Sequence, residues 1–132
     1  MRYWCCAALL ALLAPATEAL ERWYRPEHAA LGAGLYRQHC ASCHGPAAEG
    51  APGWQQPGPD GRYPPPPLNG SAHAWHHPLK ALYHTITRGQ GNMPAWGGRL
   101  SRAEVLAIIA WFQSLWPDEI YAAWQRMDAA SG

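Results

Sequence analysis

Hydrophobic and polar positions recur with a helical period in four stretches of the chain and show no period in a fifth. The first helix is predicted over Glu27–Cys40, with Pro26 at its opening position, where the missing amide is no loss. Gly32, Tyr36 and Cys40 recur every four residues and share one face. Gly32 and Gly34 each cost about 1 kcal/mol against alanine in a helix interior, a cost best tolerated where another helix crosses closely. The second helix is predicted over Pro78–Arg88: Leu79, Leu82, Tyr83 and Ile86 make an amphipathic stripe, and Gly89 and Gly91 end it. In the third, Ser101 and Glu104 form an S-x-x-E capping box. The helix behind it runs to about Leu115, with Val105, Ile108, Ile109, Phe112, Leu115 and Trp116 on its apolar face. Pro117 opens the last helix, with Asp118 and Glu119 in its first turn and Ile120, Tyr121, Trp124 and Met127 along one side. Between the first two helices, Gly45–Pro78 holds nine of the chain's 13 prolines and cannot be a regular element. Trp54, Tyr63, Leu68 and Trp75 within it imply an ordered loop wrapped on something apolar. With no strand pattern and no internal repeat, the fold class is all-α.

The N-terminal segment reads as an address. Met1–Ala19 starts with one arginine, continues as a short apolar run and ends in small residues at Ala14, Ala16 and Ala19, the layout of a secretory signal peptide cleaved after Ala16 or Ala19. The run is shorter than the ~20 residues a membrane span needs, and an uncleaved N-terminal anchor is the alternative. Cys5 and Cys6 leave with this segment, so two of the four cysteines remain, Cys40 and Cys43.

Composition narrows the picture. The 132 residues carry a net charge of +1 and only 14% charged side chains, which argues against a nucleic-acid binder, since that needs a basic stripe to neutralise phosphates. At 48% hydrophobic, the chain has enough apolar surface to fold as one domain.

The chemistry lies in Cys40-Ala41-Ser42-Cys43-His44. Thiols at i and i+3 of a helical turn sit on one face and can reach two neighbouring vinyl groups of a haem, with His44 next in line to meet the iron. C-x-x-C-H is the signature of c-type haem attachment. Three other readings compete. A structural zinc site would need a second ligand pair, a thioredoxin-like redox pair would need a βαβ setting, and an ordinary disulfide would join the two thiols. Of the three methionines, Met1 belongs to the leader and Met127 to an apolar stripe, where it reads as core packing. Met93 sits in a glycine-rich loop, Asn92-Met93-Pro94, where a sulfur could be held against iron and Gly91 would allow a close approach. His76, His77 and His84 are competing donors that read by default as surface or supporting residues.

The chain thus resembles a small class I cytochrome c over Glu27–Leu115. The resemblance rests on Gly32-x-x-x-Tyr36-x-x-x-Cys40-x-x-Cys43-His44-Gly45, Pro65-Pro66-Pro67-Leu68, Met93-Pro94-Ala95-Trp96, and Leu100-Ser101-x-x-Glu104 leading to Ala110-Trp111-Phe112. It implies a cytochrome c fold of three to five helices around one covalent haem c, with 20–116 as the cytochrome domain and 117–132 as a helical extension. It implies thioethers at Cys40 and Cys43, iron ligation by His44 and Met93, and packing of Gly32 and Tyr36 on Ile108 and Trp111. A proline carbonyl would accept a hydrogen bond from His44 Nδ1, with Pro66 the better match and Pro65 and Pro67 the alternative registers; Leu68 would lie on the haem face and Trp96 beside the methionine. The implied function is a periplasmic one-electron carrier, not an enzyme, docking weakly with redox proteins as a monomer or a complex subunit. Near-zero charge implies modest electrostatic steering. The alternatives are a haem-bearing subunit of a periplasmic or membrane-bound dehydrogenase or oxidase, with Ile120, Tyr121 and Trp124 as its interface, and a gas-sensing haem module.

Overall fold

The computed structural model describes residues 20–132; the expected signal segment, 1–19, lies outside the described residues. Among the described residues five helices follow in order: α1 (Pro26–His39), α2 (Ala41–His44), α3 (Leu79–Arg88), α4 (Arg102–Ser114) and α5 (Asp118–Ala129), with one 3-10 turn at Ala74–His76. Among the described residues β pairing is confined to an isolated bridge between Gln90 and Met93.

The crossing of α1 and α4 organises the molecule. Gly32 is the reason the two backbones can meet: a β-carbon there would stand 1.8 Å from the Ala107 carbonyl oxygen. Gly34, on another side of α1, faces open space, so only one of the two glycines is required by the crossing. One helical turn beyond Gly32, the Tyr36 ring packs on Trp111 with centroids 4.1 Å apart. Helix α4 begins at the expected capping box, with both the Ser101 and Glu104 hydrogen bonds formed. Val105, Ala107, Ile108, Ile109, Ala110, Phe112 and Gln113 are buried along it, more than one face can supply, because α1, α3 and the C-terminal region surround it. Of the expected stripe only Leu115 departs: it is 40% exposed, whereas Trp116 beyond it is buried, since the helix stops at Ser114 and the chain turns toward Pro117.

Helix α5 is not an outer appendage. Tyr121 and Trp124 are buried in the main core. The Trp124 indole donates to the His77 carbonyl at 3.0 Å, and the neighbouring Trp116 indole donates to the Leu68 carbonyl at 2.8 Å. Asp128 accepts the Leu79 amide at 2.7 Å and so caps α3, whose N-cap, Pro78, provides no side-chain bond of its own. The stripe of Ile120, Tyr121 and Trp124, expected as a possible partner interface, is therefore largely spent on the chain's own core.

The lead-in before α1 closes over this layer. The Arg22 guanidinium lies 3.8 Å over the Tyr121 ring and pairs with Asp118 at 2.8 Å. The Trp23 indole donates to the Gln113 side chain at 2.6 Å. No helix among the described residues is long and apolar enough to cross a membrane.

Candidate haem site

Three tiers of local structure position the motif. Cys40 ends α1 and starts the single turn of α2, with the His44 amide bonded to the Cys40 carbonyl at 2.9 Å. Both thiols therefore lie on one tight turn, and both are free. Cys43 is exposed, whereas Cys40 is half-buried and its thiol is pushed up to about 11 by burial and by the neighbouring Cys43. The buried Tyr36 hydroxyl donates to the Gly45 carbonyl at 2.8 Å, tying the end of the motif to the α1–α4 crossing. Its own ionisation is pushed well above the usual tyrosine range by burial, then by Cys40 and Glu49.

The Pro-rich loop supplies the second tier. His44 is 8% exposed, and its Nδ1 meets the Pro66 carbonyl oxygen at 2.9 Å. A carbonyl only accepts, so Nδ1 carries the proton and Nε2 is left with its lone pair. Burial holds the imidazole below its ordinary value, against the opposing pull of that hydrogen bond, so the ring is neutral at pH 7. Several backbone contacts fix the register within the proline run. Leu68 donates its amide to Ala48 at 2.8 Å and Ala51 donates to Pro65 at 2.9 Å. Gly50 lies so close to Pro66 and Pro67 that a β-carbon would meet Pro67 nitrogen at 2.5 Å. The loop expected to wrap something apolar is thus ordered by its own backbone.

The Met93 loop is the third tier. Gln90 and Met93 exchange both backbone bonds, at 3.1 and 2.9 Å, closing a tight turn. Its far end is stitched to α3 by Trp96 donating to Ile86 and Gly97 donating to Thr87, both at 3.0 Å. The close approach expected of Gly91 belongs to Gly89, where a β-carbon would meet the Met93 carbonyl oxygen at 2.5 Å; Gly91 faces open space.

Met93, Leu68, Trp96 and Cys40 all pack, partly buried, on the one hydrophobic core. The Trp96 ring stands 5.1 Å from the His39 ring, and the Arg99 guanidinium lies over the indole at 4.7 Å. The competing histidines take other neighbours. His76 contacts Trp75 at 4.0 Å, His77 lies 5.8 Å from His73, and His84 lies beside Tyr83. Among the described residues no three histidine, cysteine or acidic side chains converge to hold a metal ion, which disfavours the zinc reading. The donor set fits haem c instead: two free thiols on one turn, and a buried neutral imidazole with its outer nitrogen uncommitted.

The fold and this site define a c-type cytochrome domain. Residues 27–112 match the family described as cytochrome C oxidase, cbb3-type, subunit III, and the chain belongs to that family. It is 34% identical over 87 residues to the cbb3-type cytochrome c oxidase subunit CcoP of Azospirillum sp. (strain B510), a match covering 65% of this chain and 28% of that protein. It is 36% identical over 88 residues to the corresponding subunit FixP of Bradyrhizobium sp. (strain ORS 278), covering 66% and 27%. The chain thus spans little more than a quarter of these relatives. The crystal structure of cytochrome CL from the marine methylotrophic bacterium Methylophaga aminisulfidivorans MPT is similar in fold, with a TM-score of 0.56 and 25% identity over 79% of this chain and 65% of that one.

Proposed function

We propose that the chain is a periplasmic one-electron carrier holding a single haem c through Cys40 and Cys43, with His44 and Met93 as axial ligands. The observation that carries this is the Pro66 carbonyl on His44 Nδ1, 2.9 Å away, which leaves Nε2 free to bind iron in a fixed orientation and strengthens it as a donor. When bound, the haem supplies a ferric/ferrous couple that takes up and releases one electron. The chain orients His44 from the proline loop, offers Met93 from a turn stitched to α3, and encloses both with an apolar core that excludes water. Beyond the two thioethers at Cys40 and Cys43, no side chain is assigned a bond-making role, and on this reading the chain carries electrons and is not an enzyme by itself.

Covalent haem that survives denaturing electrophoresis, and a far-red sulfur-to-iron charge-transfer band in the ferric protein that Met93→Ala abolishes, are the expected results. A band unchanged in Met93→Ala overturns the ligand assignment. The second reading, a haem-bearing subunit of an oxidase complex, is favoured by the CcoP and FixP relatives. A chain that purifies alone as a monomer, and exchanges electrons freely, supports the carrier; co-purification with oxidase subunits supports the complex. A ferrous spectrum unchanged under carbon monoxide excludes the gas-sensing alternative.

A further inference from the structure

The Pro/Gly-rich loop reaches past Pro66 to a second target. At its tip, residues 58–62 form a compact turn: the Gly58 amide donates to Arg62 and the Gly61 amide to Gly58, at 2.8 and 2.9 Å. Asp60 Oδ1 accepts the Arg62 amide at 3.0 Å. Two side chains leave this turn toward one residue, Asn92. Arg62 Nη1 donates to Asn92 Oδ1 at 3.1 Å, and Asn92 Nδ2 donates to Asp60 Oδ2 at 3.5 Å. Arg62 and Asp60 also face each other at 3.6 Å. The Asn92 amide is therefore held at both ends, by a cation on its oxygen and a carboxylate on its nitrogen. Hydrogen bonds with one ionised partner are roughly twice as strong as neutral ones.

Asn92 immediately precedes Met93, inside the turn that Gln90 and Met93 close. The base of that turn is bonded to α3 through Trp96 and Gly97. The side-chain hydrogen bonds that reach its tip from elsewhere in the described chain come from Asp60 and Arg62, thirty-odd residues earlier in sequence. Four residues after Arg62, the same strand of loop presents the Pro66 carbonyl to His44. The intervening prolines restrict the backbone, since each fixes its φ near −65°. One segment thus touches the structure around both proposed axial ligands.

We propose that Asp60, Arg62 and Asn92 form a clasp that positions the Met93 turn, so that the proline loop sets how persistently the methionine holds the sixth coordination position. The proposal rests on the Met93 ligand reading above. The three side chains act through the Met93 turn and are positioning residues. Opening the clasp raises the fraction of molecules in which Met93 is detached, and an incoming ligand competes only with that fraction.

The test uses the ferric holoprotein and imidazole as the probe. Arg62→Ala and Asn92→Ala are each expected to tighten apparent imidazole binding about fivefold, the shift expected for losing one solvent-exposed contact to a charged group, and to lower the temperature at which the far-red band disappears. The double variant is expected to match either single one, because both remove the same clasp. Arg62→Lys, keeping the charge but not the planar fork, is expected to fall in between. All these residues are at the surface, and an unchanged Soret spectrum shows that each variant is folded. Met93→Ala serves as the reference: it removes the band and binds imidazole tightest. Arg62→Ala and Asn92→Ala that bind imidazole like the parent, while Met93→Ala does not, overturn the clasp. Met93→Ala that leaves both readouts unchanged overturns the ligand reading instead, and the clasp with it.

Discussion

Gly32 and Gly34 are two residues apart on one helix and have opposite requirements. At Gly32 a side chain collides with the α4 backbone, and backbone cannot retreat as a flexible side chain can. Gly32→Ala is expected to destabilise the protein by about 3 kcal/mol or more, at the upper end of overpacking costs. Gly34→Ala, with open space around it, is expected to stabilise by about 0.5–1 kcal/mol through helix propensity. Guanidinium unfolding of the two holoproteins measures both. His77 makes a pH-dependent contribution. Burial, then the nearby His73 and His76, holds its imidazole below the ordinary value, so the folded state binds its proton less readily than the unfolded chain. That stability is fully present above the unfolded value, about 6.5, and is lost as pH falls through the lower folded value. Between pH 7.5 and 5.5, stability is expected to fall less steeply in His77→Asn than in the parent, as read by thermal midpoint at each pH.

At the scale of elements, α4 was the most legible. Its capping box, its start and most of its buried face follow from Ser101, Glu104 and the 3.6-residue period. Ser101→Ala is expected to cost about 1 kcal/mol, visible as a lower denaturant midpoint with an unchanged slope. Leu115 escaped that reading because periodicity does not report where a helix stops bending around its core. The proline loop was legible as irregular but ordered, with Pro66 as the His44 partner reached by resemblance and its register left open. Which carbonyl of Pro64–Pro67 faces His44 depends on the Leu68–Ala48 and Ala51–Pro65 bonds, pairings between residues far enough apart that local propensity carries no trace of them. The Asp60–Arg62–Asn92 contact was missed for the same reason. Its only sequence signal is a lone acid–base pair beside Gly61, which reads equally well as an ordinary solvated turn.

For the whole molecule, α5 changes the meaning of the C-terminal region. Tyr121 and Trp124 close one side of the core, Asp128 caps α3, and Arg22 and Trp23 lock the lead-in across the top. A chain ending at Leu115 would expose Phe112, leave α3 uncapped and free the loop carbonyls of Leu68 and His77. Such a truncation is expected to lower the thermal midpoint by more than 10 °C, since losing several buried aromatic contacts costs several kcal/mol and about 1 kcal/mol shifts a domain of this size by roughly 4 °C. Calorimetry of the truncated holoprotein checks this. Charge is also distributed in a way the net value conceals. Residues 61–103 contain five lysines and arginines and no acid, and Lys80, His84 and Arg88 follow at four-residue intervals on one side of α3. The near-neutral total therefore hides a basic third and an acidic remainder.

The chemistry and the helical parts are readable from the chain alone, because both are local. C-x-x-C-H places two thiols and an imidazole within one turn whatever surrounds them, and caps and 3.6-residue stripes act over a few residues at a time. Long-range contacts settle which glycine the helix crossing needs, which of the candidate prolines meets His44, what holds the turn before Met93, and whether the last helix is surface or core. Each of these is a contact between segments distant in the chain. Its energy comes from excluding water and pairing polar groups across that distance, and no short window of residues contains both partners.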